Sequence, residues 1–224
     1  MTTSDRLSSP QPSTLDTRHS PATVFLVDDD ASVRKALTRL IKSAGYQVQS
    51  FASAREFLDT HVVEVAEKAC LILDISMPGL NGFDLQKELD TSSAVLPIIF
   101  ITGHGDIPMS VKAMKSGAVD FLPKPVKDKV LLAAVEQALV RAEREFGERM
   151  ELASVQRRLA SLTPREREVM AMVVRGLLNK QIAFELGTVE KTVKVHRARV
   201  MEKMEVQSLA ELVRIAERAG IGEA

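Results

Sequence analysis

The strongest constraint on this fold is a change of texture along the chain. From Val24 to about residue 126, short β-rich runs alternate with segments of helical period, and after Ser161 strand patterns stop. The β-rich runs are Val24–Val27, Tyr46–Phe51, Cys70–Ile75, Leu96–Thr102 and Ala118–Leu122. Between the first two, Val33, Ala36, Leu37, Leu40, Ile41 and Ala44 follow the spacing of one helix face. Ser53 and Glu56 have capping-box spacing ahead of Phe57 and Leu58. Leu71–Leu73 and Ile98–Ile101 are apolar at every position, as in strands of a parallel sheet covered on both faces. Strands alternating with helices in this way predict a doubly wound α/β domain over residues 22–126.

The rest of the chain reads differently. Residues 1–21 are rich in Ser, Thr, Pro and Gln and nearly free of large apolar residues, which predicts a disordered tail. Residues 127–160 form one helical stretch, with Leu132, Val135, Leu139, Ala142 and Phe146 near heptad spacing and charges beyond them. Two readings fit it: a last domain helix running into a solvated linker, or a signalling coiled coil between subunits. Residues 161–224 predict a small four-helix domain with helix-turn-helix spacing. Thr163-Pro164-Arg165-Glu166 is a helix start, Gly176 and Gly187 are stops, and helices follow near 179–186, 190–204 and 209–219.

Charge sharpens this division. The chain carries 30 Lys and Arg against 30 Asp and Glu. Residues 21–126 hold 10 basic and 13 acidic side chains, residues 127–160 hold 7 and 6, and residues 161–224 hold 11 and 9. Five basic residues and one acidic residue crowd into 191–203. The neutral total therefore does not exclude nucleic acid. Cys70 is the single cysteine, which excludes an internal disulfide or a thiolate metal cage and fits a reducing cytoplasm. No apolar run is long enough to span a membrane and no apolar signal core opens the chain, so a cytoplasmic location is expected.

Asp28 and Asp29 directly follow the first strand, and Asp74 ends the third. In an open α/β sheet, ligands bind beyond the carboxyl ends of the strands at the switch in strand order. With the flavodoxin-like order 2-1-3-4-5, the first and third strands are neighbours there, and three carboxylates converge. One such Asp commonly just caps the next helix, but three at matching strand ends repel one another and call for a cation. Few, hard, partly hydrated oxygen ligands suit Mg²⁺, with Mn²⁺ as the substitute. Thr102 ends the fourth strand ahead of Gly103, and Lys124 follows the fifth ahead of Pro125. An X–Pro bond is readily cis, which would aim the Lys inward. A hydroxyl, an ammonium and a divalent cation around Asp74 would hold a phosphoryl group there.

The strings Val27-Asp28-Asp29-Asp30, Asp74-Ile75-Ser76-Met77-Pro78-Gly79, Ile101-Thr102-Gly103-His104-Gly105 and Phe121-Leu122-Pro123-Lys124-Pro125 occur in this order. Over about residues 22–145 the chain resembles the receiver domain of bacterial response regulators. The resemblance implies that Asp74 is the phosphoacceptor, supplied by a cognate sensor histidine kinase. It implies that Asp29, Asp74 and the Ser76 carbonyl bind Mg²⁺ directly, with Asp28 assisting. Thr102 would swing toward the phosphate and Lys124 would pair with it. Phe121 falls at the aromatic switch position; lacking a hydroxyl, it would move by packing alone. Gly103-His104-Gly105-Asp106 and the helix bearing Val111, Met114 and Lys115 would carry the switching face.

The helix near 190–204 has two unlike faces whatever the family. Val193, Val200 and Met204 share one stripe, predicted to be buried, and Lys191, Lys194, Val195, Ala198 and Glu202 lie opposite. Thr192 and Arg199 form one shoulder, and His196 and Arg197 flank the buried stripe. A protruding face of basic and small apolar residues suits the major groove. Lys194 could donate to guanine, Val195 and Ala198 could meet thymine methyls, and His196, Arg197, Arg199 and Lys180 could reach phosphates.

Leu162–Val169, Gly176, Asn179-Lys180-Gln181-Ile182-Ala183, Leu186-Gly187 and Thr192-Val193-Lys194-Val195-His196 resemble the LuxR-type helix-turn-helix over about residues 158–222. With the receiver, this resembles response regulators of the FixJ/NarL class, and FixJ- or StyR-like regulators in type. One departure stands out. The family usually has Ile-Ser before the recognition helix, and here Thr188-Val189 stand there. Val caps poorly, at about 1 kcal/mol, so either Thr188 caps one residue early or Val189 stays apolar beneath the turn.

The resemblance implies a two-component transcription factor. Phosphorylation of Asp74 would relieve a restraint on the C-terminal domain and favour a homodimer. The dimer would bind paired half-sites in promoter DNA and engage RNA polymerase. The chain would not be an enzyme beyond assisting its own phosphorylation and dephosphorylation. A haloacid-dehalogenase-like phosphatase would need a second Asp where Ser76 stands. A receiver acting through protein contacts alone, with a C-terminal domain that no longer binds DNA, is the other rival.

Overall fold

The structure, a computed structural model, describes residues 22–60, 68–91, 96–103 and 107–221. The tail expected over 1–21 and the His104-Gly105-Asp106 part of the switching turn lie outside the described residues. Among the described residues no helix is long and apolar enough to cross a membrane.

Strands β1 (Thr23–Val27), β2 (Gln47–Phe51), β3 (Ala69–Asp74), β4 (Ile98–Thr102) and β5 (Asp120–Pro123) form a parallel sheet in the order β2-β1-β3-β4-β5. The period of two sends Phe25, Val27, Leu71, Leu73 and Phe100 to one face and Val24, Leu26, Cys70, Ile72, Ile99 and Ile101 to the other. Helices α2 (Ala54–Asp59), α3 (Gly82–Thr91) and α4 (Ile107–Lys115) cover the first face through Phe57, Leu85 and Ala113. Helices α1 (Ala31–Ser43) and α5 (Asp128–Ala160) cover the second through Ile41, Leu131 and Val135. β3 and β4 are buried at every residue, and β2, at the edge, is mostly exposed. Burial of Cys70 in β3 pushes its thiol pKa up to about 12, so it behaves as a small apolar side chain.

Local signals set the helix ends. Asp30 caps α1, accepting from the N–H groups of Ser32 (2.7 Å) and Val33 (3.2 Å). Ser53 caps α2, but Glu56 reaches back to the N–H of Ala52 (2.6 Å) rather than that of the cap. In α5, Val135, Leu139 and Ala142 of the heptad-like set are buried, whereas Leu132 and Phe146 are half-exposed. The buried seam instead begins at Leu131 and continues through Ala134 and Ala138.

The chain divides into two compact units, residues 1–143 and 144–224. The second holds the C-terminal part of α5 with α6 (Pro164–Val174), α7 (Asn179–Glu185), α8 (Glu190–Lys203) and α9 (Leu209–Arg218). Val169, Met170, Val173, Ile182, Val193, Val200, Met204 and Leu212 form its core. Thr163 and Glu166 make a reciprocal capping box at α6. Gly176 and Gly187 end α6 and α7 with φ of 85° and 60°, where a Cβ would be strained. Neither expectation for Thr188 and Val189 holds. Val189 is itself the N-cap, makes no side-chain cap bond, and is 65% exposed rather than tucked beneath the turn. Val193 and Val200 anchor the start and end of α8 in the core, so packing fixes this helix without a polar cap.

Candidate functional site

Because β1 and β3 are neighbours, their carboxyl ends bring Asp28, Asp29 and Asp74 together. One carboxylate oxygen from each lies within 4.8 Å of the others. Asp28 and Asp74 are buried and Asp29 is exposed, so the cluster has two closed walls and an open mouth. Asp30, next in the chain, is spent on the α1 cap, whose N–H bonds hold its carboxyl below the usual range.

Each buried carboxylate is oriented by backbone. The Asp30 N–H donates to Asp28 Oδ1 (2.8 Å), and the Ser76 N–H to Asp74 Oδ1 (3.0 Å). Arg34 on α1 donates to the Asp28 carbonyl (2.6 Å), pinning the β1–α1 turn from above. Beneath Asp74, α3 starts on a glycine because nothing larger fits. A Cβ on Gly82 would lie 2.6 Å from the Asp74 carbonyl oxygen.

Lys124 follows β5 through a cis Lys124–Pro125 bond, and its N–H donates to the Thr102 carbonyl (2.8 Å). Its Nζ stands 2.6 Å from Asp28 Oδ2 and 2.6 Å from Asp74 Oδ2. The Asp74 contact is a hydrogen bond, whereas the approach to Asp28 is a charge contact with poor directionality, so Asp28 Oδ2 is buried without a hydrogen bond. Burial pushes the Asp28 carboxyl up, and Lys124 only partly offsets it. Burial also pulls on the Lys124 ammonium, but the two carboxylates outweigh it and hold the amine above its usual range.

This geometry fits a hard divalent cation. One ammonium faces three carboxylates, and a buried carboxylate oxygen lacks a directed donor. Asp28, Asp29 and Asp74 are thus brought together with Lys124. Ser76 is exposed at the rim, and Thr102 is fully buried at the end of β4. Phe121 pairs in register with Phe100 and is half-buried against the core under α4. On α4 itself, Ile107, Val111 and Met114 form an exposed apolar row.

In the second unit, α8 exposes Lys191, Lys194, Val195, Ala198 and Arg199 on one side, with Thr192 half-exposed beside them. Lys180 is exposed on α7. Two expected phosphate contacts are partly committed elsewhere. Arg197 is half-buried and donates to Asn179 Oδ1 (3.3 Å), and His196 is half-buried with Nδ1 enclosed. Lys194 pairs with Glu190 (3.1 Å), an exposed contact that costs little to break. Sequence reasoning missed the resting grip of Lys124 on Asp74. It also missed the exposed Leu178 and Phe184 beside the turn, which carry no pattern of their own.

Comparison with known proteins agrees with both units. Residues 24–136 match the response regulator receiver domain family, and residues 160–216 match the luxR family of bacterial regulatory proteins. The chain is 50% identical to nodulation protein W of Bradyrhizobium diazoefficiens over 89% of its length and 87% of that protein. It is 44% identical to the transcriptional regulatory protein FixJ of Azorhizobium caulinodans over 90% of its length and 94% of that protein. The solved structure of the response regulator StyR is similar at 48% identity and a TM-score of 0.79, covering 89% of this chain and all of that one. The chain therefore belongs to the response regulators that join a receiver domain to a LuxR-type DNA-binding domain.

Proposed function

We propose that Asp74 is the phosphoacceptor of a two-component transcriptional regulator, and that its phosphorylation drives dimerisation and promoter binding. The observation that carries this reading is the double contact of Lys124 with Asp28 and Asp74 in a pocket with an excess of carboxylates. In the transfer, a phosphohistidine P–N bond on a sensor kinase breaks and a P–O bond to the Asp74 carboxylate forms. Asp28, Asp29, Asp74 and the Ser76 carbonyl would hold Mg²⁺, or Mn²⁺ in its place. A bound divalent cation offsets the charge of the transferring phosphoryl oxygens.

The chain's own groups do the rest. Lys124 leaves Asp74 Oδ2 and pairs with the new phosphoryl oxygens. Thr102 turns its hydroxyl to them, and Phe121 packs into the space behind. The α4 face bearing Ile107, Val111 and Met114 is then where a second copy would dock. This is a local electrostatic change biasing two packings. The chemistry is self-directed, with no turnover of external esters. On the output side, α8 enters the major groove with Lys194, Val195 and Ala198 toward bases. Lys180, Lys191, Thr192, His196, Arg197 and Arg199 lie toward the backbone. A cytoplasmic protein that binds promoters and engages RNA polymerase follows from this reading.

The test is capture of genomic DNA by the phosphorylated chain, with Asp74→Asn as control. Specific fragments should be enriched only by the phosphorylated wild type; equal enrichment by Asp74→Asn would reject the acceptor. On the captured sequence, Lys194→Ala should lose about tenfold or more in affinity, and far less on random duplex. Equal loss on both would make Lys194 a phosphate contact.

A further inference from the structure

Two helix C-termini meet in the second unit, those of α5 and α8, and each presents carbonyls with no partner inside its own helix. Like dipole ends repel. Here each end is neutralised by a cation from the other. Arg158, in the last turn of α5, donates from Nη1 to the Met204 carbonyl that closes α8 (2.8 Å). Lys203, in the last turn of α8, donates from Nζ to the Ser161 carbonyl just beyond α5 (3.1 Å), and to Glu166 Oε2 (2.7 Å). The exchange is reciprocal, and the Arg158 side chain is only 20% exposed.

The residue after Met204 shows what this exchange holds in place. Glu205 has φ of 54°, the single non-glycine residue with positive φ among the described residues. A side chain there is disfavoured, and such conformations persist only where surrounding contacts impose them. Arg158 braces the entry to that turn, through the Met204 carbonyl and the Glu205 carboxylate itself (3.7 Å), while its exit is closed by the Val206 N–H donating to the Met201 carbonyl (3.0 Å). Its Nε is buried without a hydrogen bond, so the Met204 carbonyl is the directed bond that fixes the guanidinium.

We infer that Arg158 is a positioning residue for DNA recognition: it sets the C-terminal turn of α8 from the last turn of α5. This rests on the DNA-binding reading of α8. Arg158 itself lies just ahead of the luxR-family match, which begins at residue 160. α8 is a rigid rod anchored at Val193 and Val200, so its pitch across the core depends on where its last turn is held. The groove-facing residues from Lys191 to Arg199 move with it. A turn of α5 about its axis would be felt on the recognition face without any side chain of α5 touching DNA.

The test uses the full-length phosphorylated chain, the duplex most enriched by the wild type from genomic DNA, and a random duplex of equal length. Affinities are measured across a salt series. Arg158→Ala should weaken the enriched duplex by about tenfold while leaving random-duplex affinity and the salt slope unchanged. Adding Glu205→Gly to that variant should restore most of the loss, because glycine adopts the turn without being held. Arg158→Lys, which keeps one donor to Met204, should lose less; it carries the test if the alanine variant does not fold. The inference is overturned if Arg158 variants bind as the wild type does, or if Glu205→Gly restores nothing. Equal loss on both duplexes with a salt slope lower by about one would also overturn it, making Arg158 a phosphate contact. A wild type that enriches no duplex would overturn the DNA-binding reading itself, a result distinct from all of these.

Discussion

Each unit buries a carboxylate against a lysine at nearly the same distance, with opposite results. Lys124 stands 2.6 Å from Asp28, whose carboxyl is pushed up; Lys203 stands 2.7 Å from Glu166, whose carboxyl is pushed down to about 2. At Asp28 burial outweighs Lys124 and the Asp30 N–H, whereas at Glu166 the Lys203 and Thr163 hydrogen bonds outweigh burial, and sharing of the cation sharpens the contrast. Glu166 has Lys203 as its cation, and the same Oε2 also accepts from the Thr163 N–H (2.9 Å). Asp28 divides one ammonium with Asp74, faces Asp29 as well, and keeps an oxygen without a hydrogen bond. At Glu166 the helical unit has paired its buried carboxylate within the fold. The sheet unit has left a charge imbalance for something to correct, as at sites tuned for chemistry rather than stability.

The contrast can be broken by substitution, starting with the largest effect. Asp74→Asn should abolish phosphate-dependent dimerisation, read by sedimentation after treatment with acetyl phosphate; a variant that still dimerises in response to the donor would remove the sheet pocket from the mechanism. Glu166→Gln should lower the melting temperature of the helical unit at neutral pH by about 5 °C or more. Since the folded carboxyl sits near 2 against an ordinary 4.5, its stabilisation is complete above the ordinary value. It is lost as pH falls through that window, so the variant should flatten the acid limb of the melting curve there. Asp28→Asn should act with the opposite sign. A carboxyl raised by folding destabilises once ionised, so the amide should raise the melting temperature of the sheet unit by a few degrees while slowing phosphorylation. A lower melting temperature would show Asp28 to be as settled as Glu166. Smallest, Val189→Ser should add the missing cap to α8 and raise the melting temperature of its unit by a few degrees.

The two units were also unequally legible in sequence. Strand ends could be read because β3 and β4 are apolar up to their last residues, Asp74 and Thr102, and Asp28 and Lys124 follow β1 and β5 directly. Strand order then places the acids together. The resting partners of Lys124 could not be read, since a lysine side chain, flexible over five atoms from Cβ to Nζ, reaches several neighbours and only the fold chooses among them. On α5 the buried seam runs through Ala134 and Ala138, and alanine carries little pattern, so the spacing pointed to Leu132 in place of Leu131. The start of α8 misled for a related reason. A polar cap is expected where a helix must hold its own end, but Val193 and Val200 already hold this one, leaving Val189 free to be apolar and exposed. The Arg158–Met204 bond joins residues 46 apart and leaves no periodic trace.

Gly82 carries one further consequence. The 2.6 Å gap above the Asp74 carbonyl admits hydrogen and nothing larger, and the obstacle is backbone that cannot rotate away. A chain carrying all three acids, the threonine and the lysine, but alanine at position 82, would have to lift α3 off the end of β3 and drag its acceptor out of line. Inventories of acidic residues would count such a chain as competent. The working member is distinguished by a residue with no side chain at all, eight positions downstream of the aspartate it protects.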